Sequence, residues 1–240
     1  MTDLHTHILP GMDDGASNLA VSVAMLLEER RQGVDTVVLT PHFYRDIESP
    51  GSFLKRRGKA MQQLATAMAA YERRDRANYP ELKLGAEVAW VLNMSQWSEL
   101  DRLCYEGTDM ILVEPPVQPW TQSLFRDLYG IIDRGLTPVI AHIDRYWDRQ
   151  EPEKLRQLCS MGIPIQISAE CFLSWGPRGK ALNYLKKGMA SLLISDCHNL
   201  SNRRPNLGQA MKFVQAKLGD RAAQALFDST DDLLAPPVKF

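Results

Sequence analysis

Short apolar runs rich in β-branched residues recur at 36–40, 82–86, 110–113, 138–141, 163–167 and 191–195, with a shorter one at 2–4. Each is continuously hydrophobic rather than alternating. That is the pattern of strands covered on both faces, as in a parallel sheet flanked by helices. Seven strands are therefore predicted. Between them the apolar positions change to helical spacing. Ala20, Val23, Ala24 and Leu27 stand at i, i+3, i+4 and i+7 behind Ser17, a candidate N-cap, and Met61, Leu64, Ala65 and Met68 repeat the stripe. Gly33, Gly135, Gly162 and Gly188 each close a helical pattern directly before a strand, where a left-handed C′ residue belongs. Residues 45–52 and the segment with Pro115, Pro116, Pro119 and Trp120 read as loops on the strand-exit side, where substrate access is commonly shaped.

Alternating β and α units leave two architectures, an open doubly wound sheet or a closed barrel. Polar residues decide between them. His5 and His7 follow the first strand, His42 the second, Glu87 the third, Glu114 the fourth, His142 the fifth, and Asp196 and His198 the seventh. Strands at opposite edges of an open sheet cannot bring such groups together, whereas a barrel converges them on one mouth. The expected fold is α/β, a distorted TIM-like (β/α)7 barrel.

Composition narrows the class further. The 240 residues are 45% hydrophobic and 24% charged, enough for one compact domain over 1–240 with no disulfide staple. A net charge of −1 with acids and bases interspersed leaves no basic stripe for a nucleic-acid backbone and no polybasic membrane patch. No apolar run reaches the length of a bilayer span, so no membrane insertion is expected. The first motif starts at Asp3, leaving no room for a signal peptide, and a cytoplasmic protein is expected. Cys104, Cys159, Cys171 and Cys197 lack CxxC spacing and read as reduced thiols, mostly in the core.

His5-Thr6-His7 on extended backbone sends both imidazoles to the same side of a strand end, where they can hold one cation. Alone, such a pair is more often a bland surface or core pair. Asp13-Asp14-Gly15 is by itself ordinary turn chemistry, and Thr40-Pro41-His42 by itself a capped core histidine. Glu87 and Glu114 interrupt apolar context, where an unpaired carboxylate is expensive to bury. A cation relieves both at once, and both occur at the same point of the repeat; an arginine partner for each is the competing reading. His142 ends the fifth strand, and Asp196-Cys197-His198 repeats the two-residue spacing after the seventh. Jointly these positions point to a multi-metal hydrolase.

The runs Asp3-Leu4-His5-Thr6-His7-Ile8-Leu9-Pro10-Gly11-Met12-Asp13-Asp14-Gly15, Thr40-Pro41-His42, Ala141-His142-Ile143-Asp144-Arg145-Tyr146 and Ser195-Asp196-Cys197-His198-Asn199-Leu200 resemble the bacterial metal-dependent tyrosine phosphatases of the CpsB/YwqE type. These belong to the polymerase and histidinol phosphatase (PHP) superfamily. The resemblance implies a PHP-type barrel with three divalent ions. His5, His7, Glu87 and Asp196 would hold the first, Glu87, Glu114 and His142 the second, and Asp14, His42 and His198 the third. Asp144 stands where relatives often carry Glu, and residues 90–101 and 115–120 match less clearly. The implied partner is the phosphotyrosine-bearing tail of a bacterial tyrosine kinase that governs capsule or exopolysaccharide production.

Four carboxylates and five neutral imidazoles leave three divalent ions with net positive charge, which suits a phosphomonoester dianion. The expected nucleophile is a metal-bridging hydroxide, because coordinated water ionises near a pH of about 7. Arg145, three residues after His142, and Arg203, five after His198, are the arginines expected to clamp phosphoryl oxygens; the neighbouring Arg204 competes for the second place. Imidazole and carboxylate ligands without thiolate suit manganese, zinc or iron better than magnesium alone, and family analogy favours manganese. Cys197 and Arg203 also satisfy the C-x5-R spacing of cysteine-dependent phosphatases, but that loop lacks the small residues that wrap phosphate. A PHP phosphoesterase acting on a small ester such as histidinol phosphate is the alternative function, with an amidohydrolase and a non-catalytic metal-stabilised binding module behind it. Trp120 and the Phe43-Tyr44 pair can pack on an aryl ring, or simply anchor loops.

Overall fold

The computed structural model describes residues 1–75 and 78–234. Among these residues the seven predicted runs become nine short strands, because two of the runs are kinked. The strands are β1 (Thr2–Thr6), β2 (Thr36–Leu39), β3 (His42–Phe43), β4 (Glu81–Leu84), β5 (Glu87–Ala89), β6 (Met110–Glu114), β7 (Thr137–Ile140), β8 (Gln166–Ser168) and β9 (Leu192–Ile194). Thr40-Pro41 separates β2 from β3, since proline has no N–H to give the ladder. Gly85-Ala86 separates β4 from β5. The two breaks lie against each other: a Cβ on Gly85 would meet the Tyr105 ring at 2.8 Å and the Thr40 methyl at 3.0 Å.

All ladders are parallel, in the orders β1-β2-β4, β3-β5-β6-β7 and β8-β9. Single parallel bridges join the pieces, Ile140 to Ile165 between β7 and β8, and Thr6 to Cys197 between β1 and the end of β9. His7 N–H donates to the Cys197 carbonyl at 2.9 Å and Asp196 N–H to the His5 carbonyl at 3.1 Å, so the last strand meets the first. The result is a distorted barrel, as expected from the strand-end chemistry.

Although each run is apolar throughout, its residues divide by parity. Leu4, Val38, Leu112, Val139, Leu192 and Ile194 point inward and pack with Tyr105. Val37, Leu39, Ile111, Val113, Ile140 and Leu193 face the helical layer. That layer consists of α1 (Leu19–Arg31), α2 (Pro50–Asp75), α3 (Gln122–Asp133), α4 (Pro152–Cys159), α5 (Glu170–Leu173), α6 (Arg178–Lys186), α7 (Leu207–Leu218) and α8 (Asp220–Leu234). Leu233 and Leu234 of α8 pack against the inner cluster. The mouth opposite carries the polar groups.

Local details correct the sequence expectations. Asn18, not Ser17, caps α1, its side chain accepting from Val21 N–H. The face that α1 buries runs through Ser22, Val23, Met25, Leu26 and Glu29, because Glu29 finds partners inside, while Ala20 is exposed. On α2 the buried line is Phe53, Arg57, Ala60 and Leu64, and Ala65 faces water. The 45–52 loop is shorter than expected because Pro50 opens α2, a position where its missing N–H costs nothing. Gly33, Gly135, Gly162 and Gly188 all have positive φ, as their place before strands required. No helix among the described residues is long and apolar enough to cross a membrane.

Candidate metal centre

Each polar residue predicted for the mouth is delivered by a strand end. β1 carries His5 next to its last residue and leads on to His7; β3 opens with His42, β5 opens with Glu87 and β6 closes with Glu114. His142 follows β7, and Asp196 and His198 follow β9. Among the described residues three non-glycine ones have positive φ, and two of them, His142 at 22° and Asp196 at 53°, lie here. Such backbone strain costs on the order of 1–3 kcal/mol each and persists where the surroundings over-determine it.

Glu87 is the hub. Its Oε1 lies 2.7 Å from His142 Nε2, and its Oε2 lies 2.9 Å from His42 Nδ1 and 3.3 Å from Nε2 of both His5 and His7. Asp196 Oδ1 is 3.5 Å from His7 and 3.7 Å from His5. Glu114 Oε1 is 3.7 Å from His142. On the outer side Asp14 Oδ1 stands 3.4 Å from His198 Nε2 and 3.6 Å from His42 Nε2, and the His7 and His198 rings stack at 3.8 Å.

Ligand-type atoms close enough to share an ion form three groups: His5, His7 and Glu87; His42, Glu87 and Glu114; and His7, Asp14, His42 and His198. His7 therefore belongs to two of them, and His42 borders Glu114 as well as Asp14. Buried Glu87 Oε2, Asp196 Oδ1 and His198 Nε2 make no hydrogen bond among the described residues. Buried acceptors left so are costly unless a cation takes them, so the donor set fits divalent ions.

Two residues that the sequence reading did not assign hold the imidazoles in place. Gln166 on β8 accepts from His5 Nδ1 at 2.8 Å, and Asp13 Oδ2 accepts from His7 Nδ1 at 2.7 Å. Each thereby leaves the Nε2 lone pair turned to the centre, as partners of metal-binding histidines do. Asp13 also accepts from the His42 and Gly15 N–H groups at 2.9 Å each, which fixes the turn. Gly15 is required by close approach, since a Cβ there would meet the His7 carbonyl at 2.1 Å. Gln166 was visible as the lone amide inside an apolar run. Nothing in the adjacent Asp13 and Asp14 said which would turn inward.

Charge is tightly coupled. Burial opposes ionisation of Glu87, yet the surrounding imidazoles hold its carboxyl well below the usual range. Burial would lower His7, but Asp13 and Glu87 raise it to about 10. Burial and the neighbouring His7 lower His198 to about 3. Glu114 is raised by burial and by the charge of Glu87.

Two arginines rim the cluster. Arg145 and Arg203 each donate through Nη2 to the same oxygen, Asp196 Oδ2, at 2.7 Å. Arg203 also stands 3.6 Å from Asp14 Oδ2, whereas Arg204 is exposed. Cys197 is fully buried behind the cluster, its thiol donating to Glu29 at 3.4 Å, and burial with the Glu29 charge raises its pKa well above the ordinary value. A covalent cysteine mechanism is excluded on access and ionisation alike. Of the aromatic candidates, Trp120 is a loop anchor that donates to the Pro116 carbonyl and packs on Tyr146, and Phe43 lies in the core. Tyr44 alone reaches the mouth, stacked on His42.

Fold and cluster together define a (β/α) barrel with a candidate carboxylate–imidazole metal centre at the C-terminal strand ends. More narrowly, the chain belongs to the CpsB/CapC family, described by capsular polysaccharide synthesis, whose model matches residues 1–234. It is 29% identical over 238 residues to the tyrosine-protein phosphatase CpsB of Streptococcus pneumoniae, covering 95% of each chain. It is 29% identical over 248 residues to the tyrosine-protein phosphatase YwqE of Bacillus subtilis, covering 98% of this chain and 91% of that one. In fold it matches a solved structure from the work on YwqE and CpsB as metal-dependent tyrosine phosphatases, with a TM-score of 0.84 at 24% identity over 100% of this chain and 96% of that one.

Proposed function

We propose that the chain is a metal-dependent phosphomonoesterase, a protein tyrosine phosphatase whose substrate is the phosphorylated tail of a bacterial tyrosine kinase in capsule or exopolysaccharide regulation. The observation that carries the reading is the convergence of nine imidazole and carboxylate side chains with two arginines at one barrel mouth. The family membership and the names of the relatives favour tyrosine phosphate over a small ester such as histidinol phosphate.

His5, His7, Glu87 and Asp196 would hold a first ion, Glu87, Glu114 and His142 a second, and Asp14, His42 and His198 a third, with His7 close enough to serve the third as well. Manganese is proposed for all three, with zinc or iron as substitutes. Such ions supply Lewis acidity that ionises water near neutral pH and positive charge that accepts the phosphoryl oxygens. The protein does the rest. Gln166 and Asp13 fix the imidazole tautomers, and Glu87 spans the groups. Arg145 and Arg203 are poised to exchange their Asp196 contact for the non-bridging oxygens of a phosphate, a geometry the planar guanidinium fits.

The test is metal analysis of the purified protein, followed by chelation and readdition of single metals. Turnover of a phosphotyrosine peptide, histidinol phosphate and bis-(p-nitrophenyl) phosphate is then compared. Metal-dependent release from the peptide alone is expected. Phosphate release that survives exhaustive chelation overturns the metal reading, and preference for histidinol phosphate overturns the substrate.

A further inference from the structure

Two cavities border the centre, and they differ in whether an aromatic ring lines them. One, of about 210 Å³, lies beside Arg145, Arg203 and Asp196 and is walled by Ser168, Cys171 and Pro177, with no aromatic ring among its lining. The other, of about 340 Å³, shares Asp14 and His42 with the cluster, and its remaining walls include Met12, Tyr44 and Ile47. At its far end Arg56 is fixed by the Met12 carbonyl at 2.8 Å and by Glu48.

The second cavity has an aromatic wall. The Tyr44 ring stacks on His42 with centroids 5.3 Å apart and planes at 29°, so the imidazole sets the orientation of the phenol. Ile47 is 74% exposed at the lip. Its side chain lines the same cavity as the Tyr44 ring.

We infer that Met12, Tyr44 and Ile47 form the leaving-group pocket of this centre and select aryl over alkyl phosphomonoesters. The inference rests on the phosphatase reading and adds to it the residues that choose the substrate. In that reaction the bond between phosphorus and the aryl oxygen breaks, a water oxygen joins phosphorus, and a water proton ends on the departing phenol. With the phosphoryl group among Arg203, Asp14 and His42, the Tyr44 ring stacked on His42 is the aromatic surface beside it. The first cavity offers the ring no aromatic contact.

The experiment compares kcat/KM for p-nitrophenyl phosphate and O-phosphotyrosine with that for O-phosphoserine in the metal-loaded parent protein, Tyr44→Ala, Tyr44→Phe and Ile47→Ser. Loss of the platform is expected to lower the aryl values by about tenfold while the phosphoserine value stays within about twofold, and Tyr44→Phe should retain the preference. Metal content should not change. Calorimetric binding of benzylphosphonate should weaken in Tyr44→Ala and Ile47→Ser, while binding of inorganic phosphate does not. An unchanged aryl-to-alkyl ratio and unchanged phosphonate affinity in both variants overturn the inference. So does a ratio shifted instead by Ser174→Ala, on the wall of the first cavity. Should the parent protein release phosphate from no monoester with any metal, the phosphatase reading fails. The phosphonate arm then still decides the pocket.

Discussion

His42 and Glu87 stand directly opposite each other in the parallel pairing of β3 with β5, and Nδ1 of the histidine lies 2.9 Å from Oε2 of the glutamate. The register follows from the paired kinks at Thr40-Pro41 and Gly85-Ala86, which restart both strands at the same level. It places the one fully buried carboxylate of the cluster among four imidazoles. Replacing that carboxylate with an amide, Glu87→Gln, keeps the volume and removes the charge. Metal affinity is expected to fall by about 100-fold or more and turnover with it, while the far-ultraviolet circular dichroism is unchanged. Metal analysis after gel filtration reads the first effect. A variant that keeps both its metal and its activity would show that Glu87 is only a structural hub.

Arg145 and Arg203 converge on one oxygen of Asp196 from segments that follow different strands. Because both act on the same group, their removal is expected to be non-additive. Each single alanine variant should lower kcat/KM by about 100-fold, and the double variant by less than the product. Lysine should rescue neither, since it lacks the planar fork. Steady-state kinetics of the cycle provide the measurement, and strict additivity would separate the roles of the two residues.

Gly15 touches the His7 carbonyl too closely for any side chain. In Gly15→Ala the Asp13-Asp14 turn must move, taking with it the acceptor of His7 Nδ1 and the outward Asp14. Destabilisation of about 1–3 kcal/mol is expected from the overpacking. Weaker metal binding should accompany it, because the turn carries both carboxylates. Urea unfolding with and without manganese checks both, and a variant as stable and as tightly metallated as the parent argues against the close contact.

Behind the centre, Asp3 on β1 and Glu29 on α1 are buried together. Burial raises Asp3 to about 6, and burial with the Asp3 charge raises Glu29 well above the usual carboxylate range. In the unfolded chain both ionise near a pH of about 4. The folded state therefore binds extra protons above that pH, so this contribution is present at low pH and is lost as pH rises through the folded values. Melting temperatures of the metal-free protein should fall from about pH 5 to about pH 8, and Glu29→Gln should flatten the slope. His7, raised to about 10, adds a loss of its own from about pH 6.5 upward, which Glu29→Gln leaves in place, and the depressed carboxylates Asp13, Glu87 and Asp196 act on the acid side. Equal slopes for parent and variant would place the proton elsewhere.

Much was legible in the chain because it depends on local order. Continuous apolar runs before polar strand ends announced a parallel barrel, and the His-x-His and Asp-x-His pairs announced where its chemistry lies, since side-chain direction on extended backbone is set by spacing alone. Other features depend on neighbours distant in sequence. Glu29 is buried on α1, against the polarity of its type, only because Asp3 and Cys197 meet it there. Gln166 and Asp13 became the supports of His5 and His7 through contacts that no spacing rule connects. His7 sits in two ligand groups rather than one because ring closure brings His198 against it. The amino-acid order determined which side chains arrive at the mouth; the closing of the barrel decided which of them touch, because contact between groups from different strands is a property of register and curvature rather than of sequence distance.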